Sequence, residues 1–354
     1  MGQDAASLRL LVGTYTKGSS KGIYTLSIDT STGALSAPAL AAGAPNPTFL
    51  ALSPDRRTAY AVCAGDQWAS SFKVDGGSGA LTPLSQRESG TGPTPCHIAV
   101  DPSGHIAVAA NYHLGLAAAI PLGPGGALGA PRVVAHSGRG PHPTRQTTSH
   151  VHSANFSPDG RFALVCDLGL DRIYTYRVDR DGIRLEAGDP PHVESAPGAG
   201  PRHLAFGAGG RHAYVINELD NTVVAYDYLP SNGGLVRLQA VSLLPAGYRG
   251  EATAAEVRVH PNGRFLYGSC RGPDTISVFA VHEPTGTLSP VETLPCGGRG
   301  PRSFAVSADG RWLVCAHQDS GTVSSFRIDS ATGRLSGPAG AAEIPMPVCV
   351  VFLS

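Results

Sequence analysis

The sequence predicts an all-β fold: a seven-bladed β-propeller of four-stranded antiparallel blades, closed by the C-terminal strand joining the N-terminal blade. Three observations predict it. A Pro/Asp/Gly turn element recurs six times, as SPDRR from Ser53, DPSGH from Asp101, SPDGR from Ser157, GAGGR from Gly207, HPNGR from His260 and SADGR from Ser307, at spacings of 48, 56, 50, 53 and 47 residues. Seven short β-rich runs, each followed by a Gly-containing turn, recur in step with these elements. The C-terminal MPVCVVFLS also matches NPTFLALSP, the segment leading into the first turn element. Periods of this length mark arrays of one supersecondary unit.

Each turn element lies between two β-rich runs, as HSANF and FALVCDL flank SPDGR, which is a hairpin pattern. A third run follows: GIYTLSI, ASSFKVD, LAAAIPL, RIYTYRV, TVVAYDY, TISVFAV and TVSSFRI. The fourth is announced by TGALS, SGALT, GGALG, DGIRL, NGGLV, TGTLS and TGRLS. Only the opening unit lacks its first strand, and the C-terminal segment can supply it, which removes the exposed edge of an open β array. Seven such units place one propeller domain over residues 1–354. An open β-solenoid is the competing architecture, but its repeats are shorter and lack a four-strand rhythm. The dipeptides and paired glycines of WD40 and kelch repeats do not recur at fixed positions.

Composition agrees. Gly 45 and Pro 29 demand frequent turns, and Lys+Arg 27 balances Asp+Glu 27. A neutral chain has no general field for phosphate backbones or anionic lipid, so neither nucleic acid nor membrane is an expected partner, and any anion site must be local. No run of 18 apolar residues occurs and the N-terminus has no signal-peptide pattern, so the chain reads as soluble and cytoplasmic, a monomer or homodimer. Seven cysteines without a C-x-x-C pair argue against disulfides or a zinc knuckle and read as buried thiols.

In a propeller blade the innermost strand lines the central channel, with its start beside the end of the second strand. Counted from the turn elements, the first position gives Thr48, Cys96, His152, Arg202, Ala255 and Arg302, and the second gives Ala64, Tyr112, Leu168, Glu218, Arg271 and Gln318. One step along from the first column are Phe49, His97, Ser153, His203, Glu256 and Ser303. Positions that only support the fold should hold similar residues in every unit, whereas here adjacent units diverge into His, Arg, Glu and Arg. The pattern points to a cationic, histidine-bearing mouth at one end of the channel, and guanidinium forks imply an anionic ligand.

Structural roles compete with each of these assignments. Arg202 and Arg302 both sit in GPR and could lock neighbouring blades, His203 and His97 could be hydrogen-bonded core histidines, and Glu218 could simply neutralise an arginine. His152, with His150 two residues away in SHVHS, is the hardest to explain structurally. H-x-H alone does not make a metal site, and no cysteine or carboxylate cluster completes a ligand set, so no metal or cofactor is expected. Nucleophile-elbow, zinc-protease and phosphate-loop motifs do not occur. The longest insertion, AHSGRGPHPTRQTTSHVH, brings Arg139, His142 and Arg145 just ahead of these histidines, as a lid or as a surface loop.

The segments LLVGTYT with GIYTLSID, SHVHSANFSPDGRFALVCDLGLDRIYTYRVD, GPRHLAFGAGGRHAYVINELDNTV and AAEVRVHPNGRFLYGSCRGPDTISVF together resemble the propeller lactonases, over essentially the whole chain. That family includes bacterial 6-phosphogluconolactonases and is similar to the fungal carboxy-muconate lactonising enzymes. The resemblance implies a seven-bladed propeller and an active-site set of His152, Arg202, Glu218 and Arg271. His97, Asn111 (whose Asn-Tyr pair looks like the family), His150, His203, Glu256, Arg302 and Gln318 are the candidate substrate-binding residues. It also implies hydrolysis of a small anionic lactone, 6-phospho-D-glucono-1,5-lactone, in the pentose phosphate pathway, without cofactor. Either Glu218 or His152 would be the general base and the other would serve the ring oxygen. Arg202 and Arg271 would stabilise the oxyanion and, with Arg302, hold the substrate anion. A muconate-type cycloisomerase, or a propeller that binds an anionic ligand or protein without turnover, remains open on these residues.

Overall fold

The computed structural model describes residues 7–64, 68–88, 92 and 94–353. Seven four-stranded antiparallel sheets form a ring. Their innermost strands are Pro347–Phe352, Pro47–Leu52, Pro95–Val100, Val151–Phe156, Pro201–Phe206, Thr253–Val259 and Pro301–Val306, for the first to seventh blade respectively, and each touches the innermost strands of both neighbours. The first blade runs Pro347–Phe352, Ser7–Thr14, Gly22–Asp29, Ala39–Gly43, so the C-terminal strand pairs with the N-terminal one as the matching segments predict.

The recurrent turn element works through its side chains as well as its glycine. In the fourth blade the Ser157 hydroxyl donates to Asp159 at 2.6 Å and accepts from the Phe162 amide at 3.0 Å, and the same contacts recur at Ser307, Asp309 and Trp312. The fourth residue turns the chain through positive φ, 66° at Gly160 and 71° at Gly310, a region that costs a side-chain-bearing residue steric energy. In SPDRR this position is Arg56, at φ 58°.

The glycine before most fourth strands has a different cause. Gly33 of the first blade lies against Trp312 of the seventh, where a Cβ would come within 2.4 Å of the indole, and Gly333 sits in the same way over Phe265. The turn therefore packs onto the preceding blade, and its recurrence records a blade-to-blade contact. In the first and third blades the announced segments TGALS and GGALG supply only single bridges, Ile28 to Leu35 and Leu122 to Leu128, and the fourth strands begin later, at Ala39 and Arg132. The core consists of apolar clusters between blades, such as Leu164, Val215, Tyr226 and Phe162 between the fourth and fifth. Six cysteines are buried free thiols. The seventh, Cys96, is only partly covered, and burial pushes its thiol up to about 12.

Candidate active site

Every innermost strand carries a β-bulge near its start. The register breaks between Pro47 and Phe49, Pro95 and His97, Val151 and Ser153, Pro201 and His203, Ala254 and Val257, and Pro301 and Ser303. The skipped residues are Thr48, Cys96, His152, Arg202, Ala255 with Glu256, and Arg302, which is the first column of the sequence. A bulge frees one residue from the ladder and re-aims its side chain, so the repeat pattern had located a geometric device. In the second column Ala64, Leu168, Glu218 and Gln318 are each fixed by a hydrogen bond from their own amide to the loop ahead of the bulge, to the carbonyls of Asn46, His150, Gly200 and Gly300 at 2.8–2.9 Å, while Arg271 pairs with Thr253 in the ladder. The first blade repeats this geometry with Val348 in the bulge and Tyr15 bonded to Met346 at 3.1 Å. Those two are the seventh members of the columns, hidden in the sequence because this blade has no Pro/Asp/Gly element.

Both columns converge on a cavity of about 620 Å³, whose lining includes His152, Arg202, His203, Glu218, Arg271 and Arg302, together with Tyr15, Lys17, Tyr112 and Arg145. At its centre is the Glu218 carboxylate. Oε2 accepts from Arg202 Nε at 2.9 Å and pairs with Arg271 Nη2 at 3.3 Å, while Oε1 accepts from Arg145 Nη2 at 2.5 Å. Burial alone would raise this carboxyl, but the Arg271, Arg202 and Arg145 guanidinium groups outweigh it and hold it well below the usual carboxylate range. Glu218 is therefore a permanent anion and a weak base.

His152 is its complement. Burial, with Arg202 and His203 beside it, holds the imidazole well below its ordinary value, so the ring is neutral at neutral pH. Its Nδ1 is enclosed without a hydrogen-bond partner among the described residues, and Nε2 stands 3.8 Å from Glu218 Oε2, beyond hydrogen-bond range. Nε2 is thus the nitrogen placed to exchange a proton with a group bound beside this pair.

Arg202 is buried and spends its donors inside the protein, on Glu218, on Ala255 O at 2.5 Å and on His203 Nε2 at 3.3 Å. Burial and Arg271 pull it down to about 10, still cationic at neutral pH. His203 Nδ1 in turn donates to Glu256 Oε1 at 3.1 Å, which makes Nε2 the acceptor from Arg202. Arg271 bonds the Thr253 and Ala254 carbonyls at 3.2 and 3.1 Å.

The structure separates the remaining candidates from the cavity wall. His97 stacks on Phe49 at 4.1 Å and meets His203 at 5.3 Å, forming a ring layer beneath the cavity, and Glu256 lies under His203. Asn111 accepts from the Leu114 amide in a turn. His150 stacks under Tyr112 at 4.2 Å and donates to its carbonyl at 2.7 Å. Gln318 accepts from Arg302 at 3.3 Å. His97 and Glu256 thus support His203, His150 supports Tyr112 and Gln318 supports Arg302, each from behind the cavity wall.

The insertion is a built part of the site. Gln146 donates to Leu168 O at 2.8 Å and to Asp171 at 2.6 Å, Ser149 donates to Asp167 at 2.6 Å, and the His142 ring accepts from the Arg145 amide at 3.2 Å. Arg145 is thereby presented to Glu218 and to the Tyr112 hydroxyl, while Arg139 is exposed outside. Lys17 has no counterpart in the repeat, and no periodic signal could have revealed it. Among the described residues no three His, Cys, Asp or Glu side chains gather closely enough to hold a metal ion, and no helix is long and apolar enough to cross a membrane.

Comparison with known proteins agrees with the fold. The family described as lactonase, 7-bladed beta-propeller, matches residues 9–352. The chain is 39% identical over 345 residues to a Bacillus subtilis protein named 6-phosphogluconolactonase, covering 97% of each. A Formosa agariphila protein of the same name is 33% identical over 303 residues, with 82% of this chain and 83% of that one covered. The solved structure of the Pseudomonas aeruginosa periplasmic gluconolactonase superposes with a TM-score of 0.93 at 34% identity, over 98% of this chain and 99% of that one.

Proposed function

Because the chain belongs to the seven-bladed β-propeller lactonase family, we propose that this lactone-hydrolysing enzyme opens a sugar lactone bearing an anionic group, 6-phospho-D-glucono-1,5-lactone, to 6-phosphogluconate. The observation that carries the chemistry is the neutral His152 imidazole facing a carboxylate that three guanidinium groups hold ionised. Water is a poor nucleophile toward C1 until a base removes its proton. What favours His152 over Glu218 as that base is their electrostatics: Glu218 is saturated by cations, whereas Nε2 of His152 is uncharged and unbonded.

In the proposed reaction Nε2 takes one proton from water as the hydroxide oxygen bonds to C1, and the carbonyl π electrons move onto oxygen. Arg271 and Arg145, the more accessible members of the cage, stabilise that oxyanion, a contribution of the kind worth about 10² to 10³ in rate. The imidazolium, steadied by Glu218, returns its proton to the ring oxygen as the C1–O bond breaks, and the carboxylic acid formed releases its proton to solvent. Arg202 orients Glu218 from beneath. We place the reaction in the cytoplasm, which suits seven free cysteines, although the Pseudomonas relative is named periplasmic.

The test is hydrolysis of 6-phosphogluconolactone and of gluconolactone by the enzyme, by His152→Ala and by enzyme treated with EDTA, each corrected for spontaneous opening. The expected result is acceleration that survives EDTA and falls by about 10² to 10⁴ in His152→Ala. No acceleration of either lactone would sink the reading and bring forward muconate-type lactones or a binding role.

A further inference from the structure

The cavity wall carries five cationic side chains, Lys17, Arg145, Arg202, Arg271 and Arg302, against one carboxylate, Glu218. Three of the five are committed to that carboxylate. The other two, Lys17 and Arg302, have no carboxylate partner among the described residues, and they belong to a different sector of the ring. His152, Arg202 with Glu218, and Arg271 come from the fourth, fifth and sixth blades. Arg302 comes from the seventh, Tyr15 and Lys17 from the first, and Thr48 from the second.

One aromatic ring joins the two free cations. Lys17 Nζ lies 5.9 Å and the Arg302 guanidinium 5.8 Å from the Tyr15 ring centroid. The loop bearing Lys17 is fixed, since the Tyr15 amide bonds Met346 O and the Thr16 amide bonds Asn46 Oδ1 at 2.9 Å. Arg302 is braced by Gln318. Thr48, only 7% exposed, lines the same cavity, and its buried hydroxyl has no partner among the described residues.

A neutral sugar lactone develops a single oxyanion at C1, which the Glu218 sector already serves. Two further cations with no acid to neutralise them would then face the cavity uncompensated. We infer that Lys17, Tyr15, Arg302 and Thr48 form a second subsite that receives a phosphate monoester at the end of the substrate remote from C1, and that this subsite sets the preference for phosphorylated lactones. A phosphate carries about −1.5 to −2 charges at neutral pH, which matches two cations better than a carboxylate does. The arginine fork can hold two of its oxygens, the lysine supplies a point charge, and a hydroxyl can donate to a third oxygen. The assignment of the two ends rests on the lactonase reading, and the phosphate subsite itself does not.

The test reads binding without turnover. Calorimetry gives Kd for 6-phosphogluconate, for gluconate and for the C6 carboxylate glucarate, on the wild-type protein and on Lys17→Ala, Arg302→Ala and Thr48→Val. The expected result is a preference for 6-phosphogluconate over gluconate of at least about 10-fold, the scale of one charge-assisted contact. That ratio should collapse toward unity in Arg302→Ala, fall in Lys17→Ala and shrink less in Thr48→Val. Lys17 is exposed, so its variant should fold even if the Arg302 variant does not. A ratio unchanged in Lys17→Ala and Arg302→Ala, or glucarate bound as tightly as 6-phosphogluconate, overturns the subsite. A phosphate preference in a protein that opens neither lactone would remove the reaction and keep the subsite. Equal kcat/KM on both lactones would do the reverse.

Discussion

Arg145 and Glu218, 73 residues apart in the chain, are joined by a 2.5 Å hydrogen bond from Nη2 to Oε1, so a loop outside the blade repeat completes the innermost cluster of the propeller. The bond reaches the carboxylate oxygen that Arg202 leaves open, and it ties the insertion between the third and fourth blades to the fifth.

Arg145→Ala should therefore leave the ring folded and lower kcat. Its side chain is 35% exposed and its anchors, Gln146, Ser149 and His150, stay in place. One of the two accessible cations proposed for the oxyanion is lost, so kcat should drop by about 10 to 10³. Steady-state kinetics with a thermal melt check this, and an unchanged kcat would make the insertion a surface strap.

Glu218→Gln should destabilise the protein while opening an anion site. Arg202 is buried and Glu218 nearly so, and breaking a buried charge network costs about 3 to 5 kcal/mol. Since three guanidinium groups would then lack their counter-charge, added phosphate should restore more stability to the variant than to the wild-type protein. Urea unfolding with and without phosphate measures both effects. Equal stability of the two proteins in plain buffer would show that Glu218 is not holding the cage.

The blade count was legible because the hairpin turns repeat one left-handed position, glycine in five of the six elements, and most fourth strands are preceded by a glycine that packs on the neighbouring blade. The four candidate residues stood out for the opposite reason: at the bulge positions of His152 and Arg202, and at Glu218 and Arg271 beside them, no packing constraint forces the blades to agree. A proline opens most of the bulges, at Pro47, Pro95, Pro201, Pro301 and Pro347, but it does not show which side chain the bulge turns inward, so side chains one step along, such as His97 and Glu256, read as lining although they lie below the cavity. Tyr15 and Val348 became comparable with the other blades only after the ring closed. Arg145 reaches Glu218 through a turn whose course depends on Gln146 and Asp171, contacts without periodicity.

Arg56→Gly should stabilise the protein. Arg56 holds φ 58° at a turn position where the other five elements have glycine, Gly104, Gly160, Gly210, Gly263 and Gly310, at φ 66–75°. Relieving a left-handed side-chain-bearing residue is worth about 1 kcal/mol, reduced somewhat by the extra freedom of glycine in the unfolded chain. A denaturant midpoint equal to or below wild type would contradict this.

Acid should unfold the protein earlier than its carboxylates alone require. Burial is the leading cause that holds His97, His152 and His203 well below their ordinary value. In the unfolded chain these rings titrate near pH 6.5. Above that pH both states are neutral and nothing is lost. As pH falls from about 6.5 toward the depressed native values, the unfolded chain binds up to three protons that the native state refuses. Stability then falls by up to about 4 kcal/mol per pH unit, about 1.4 for each imidazole. Glu218 adds a second loss at lower pH, because its depressed carboxyl stabilises the fold above its unfolded value and loses that contribution as pH falls through the native one. The same shift at His152 places the acid limb of the kcat/KM profile below pH 6.5, since the base stays unprotonated there. Unfolding free energies across pH 4 to 8 measure the proton uptake, and His203→Gln should reduce it by about one proton. An acid limb at or above pH 6.5 would mean that His152 is solvated and that another group removes the proton from water.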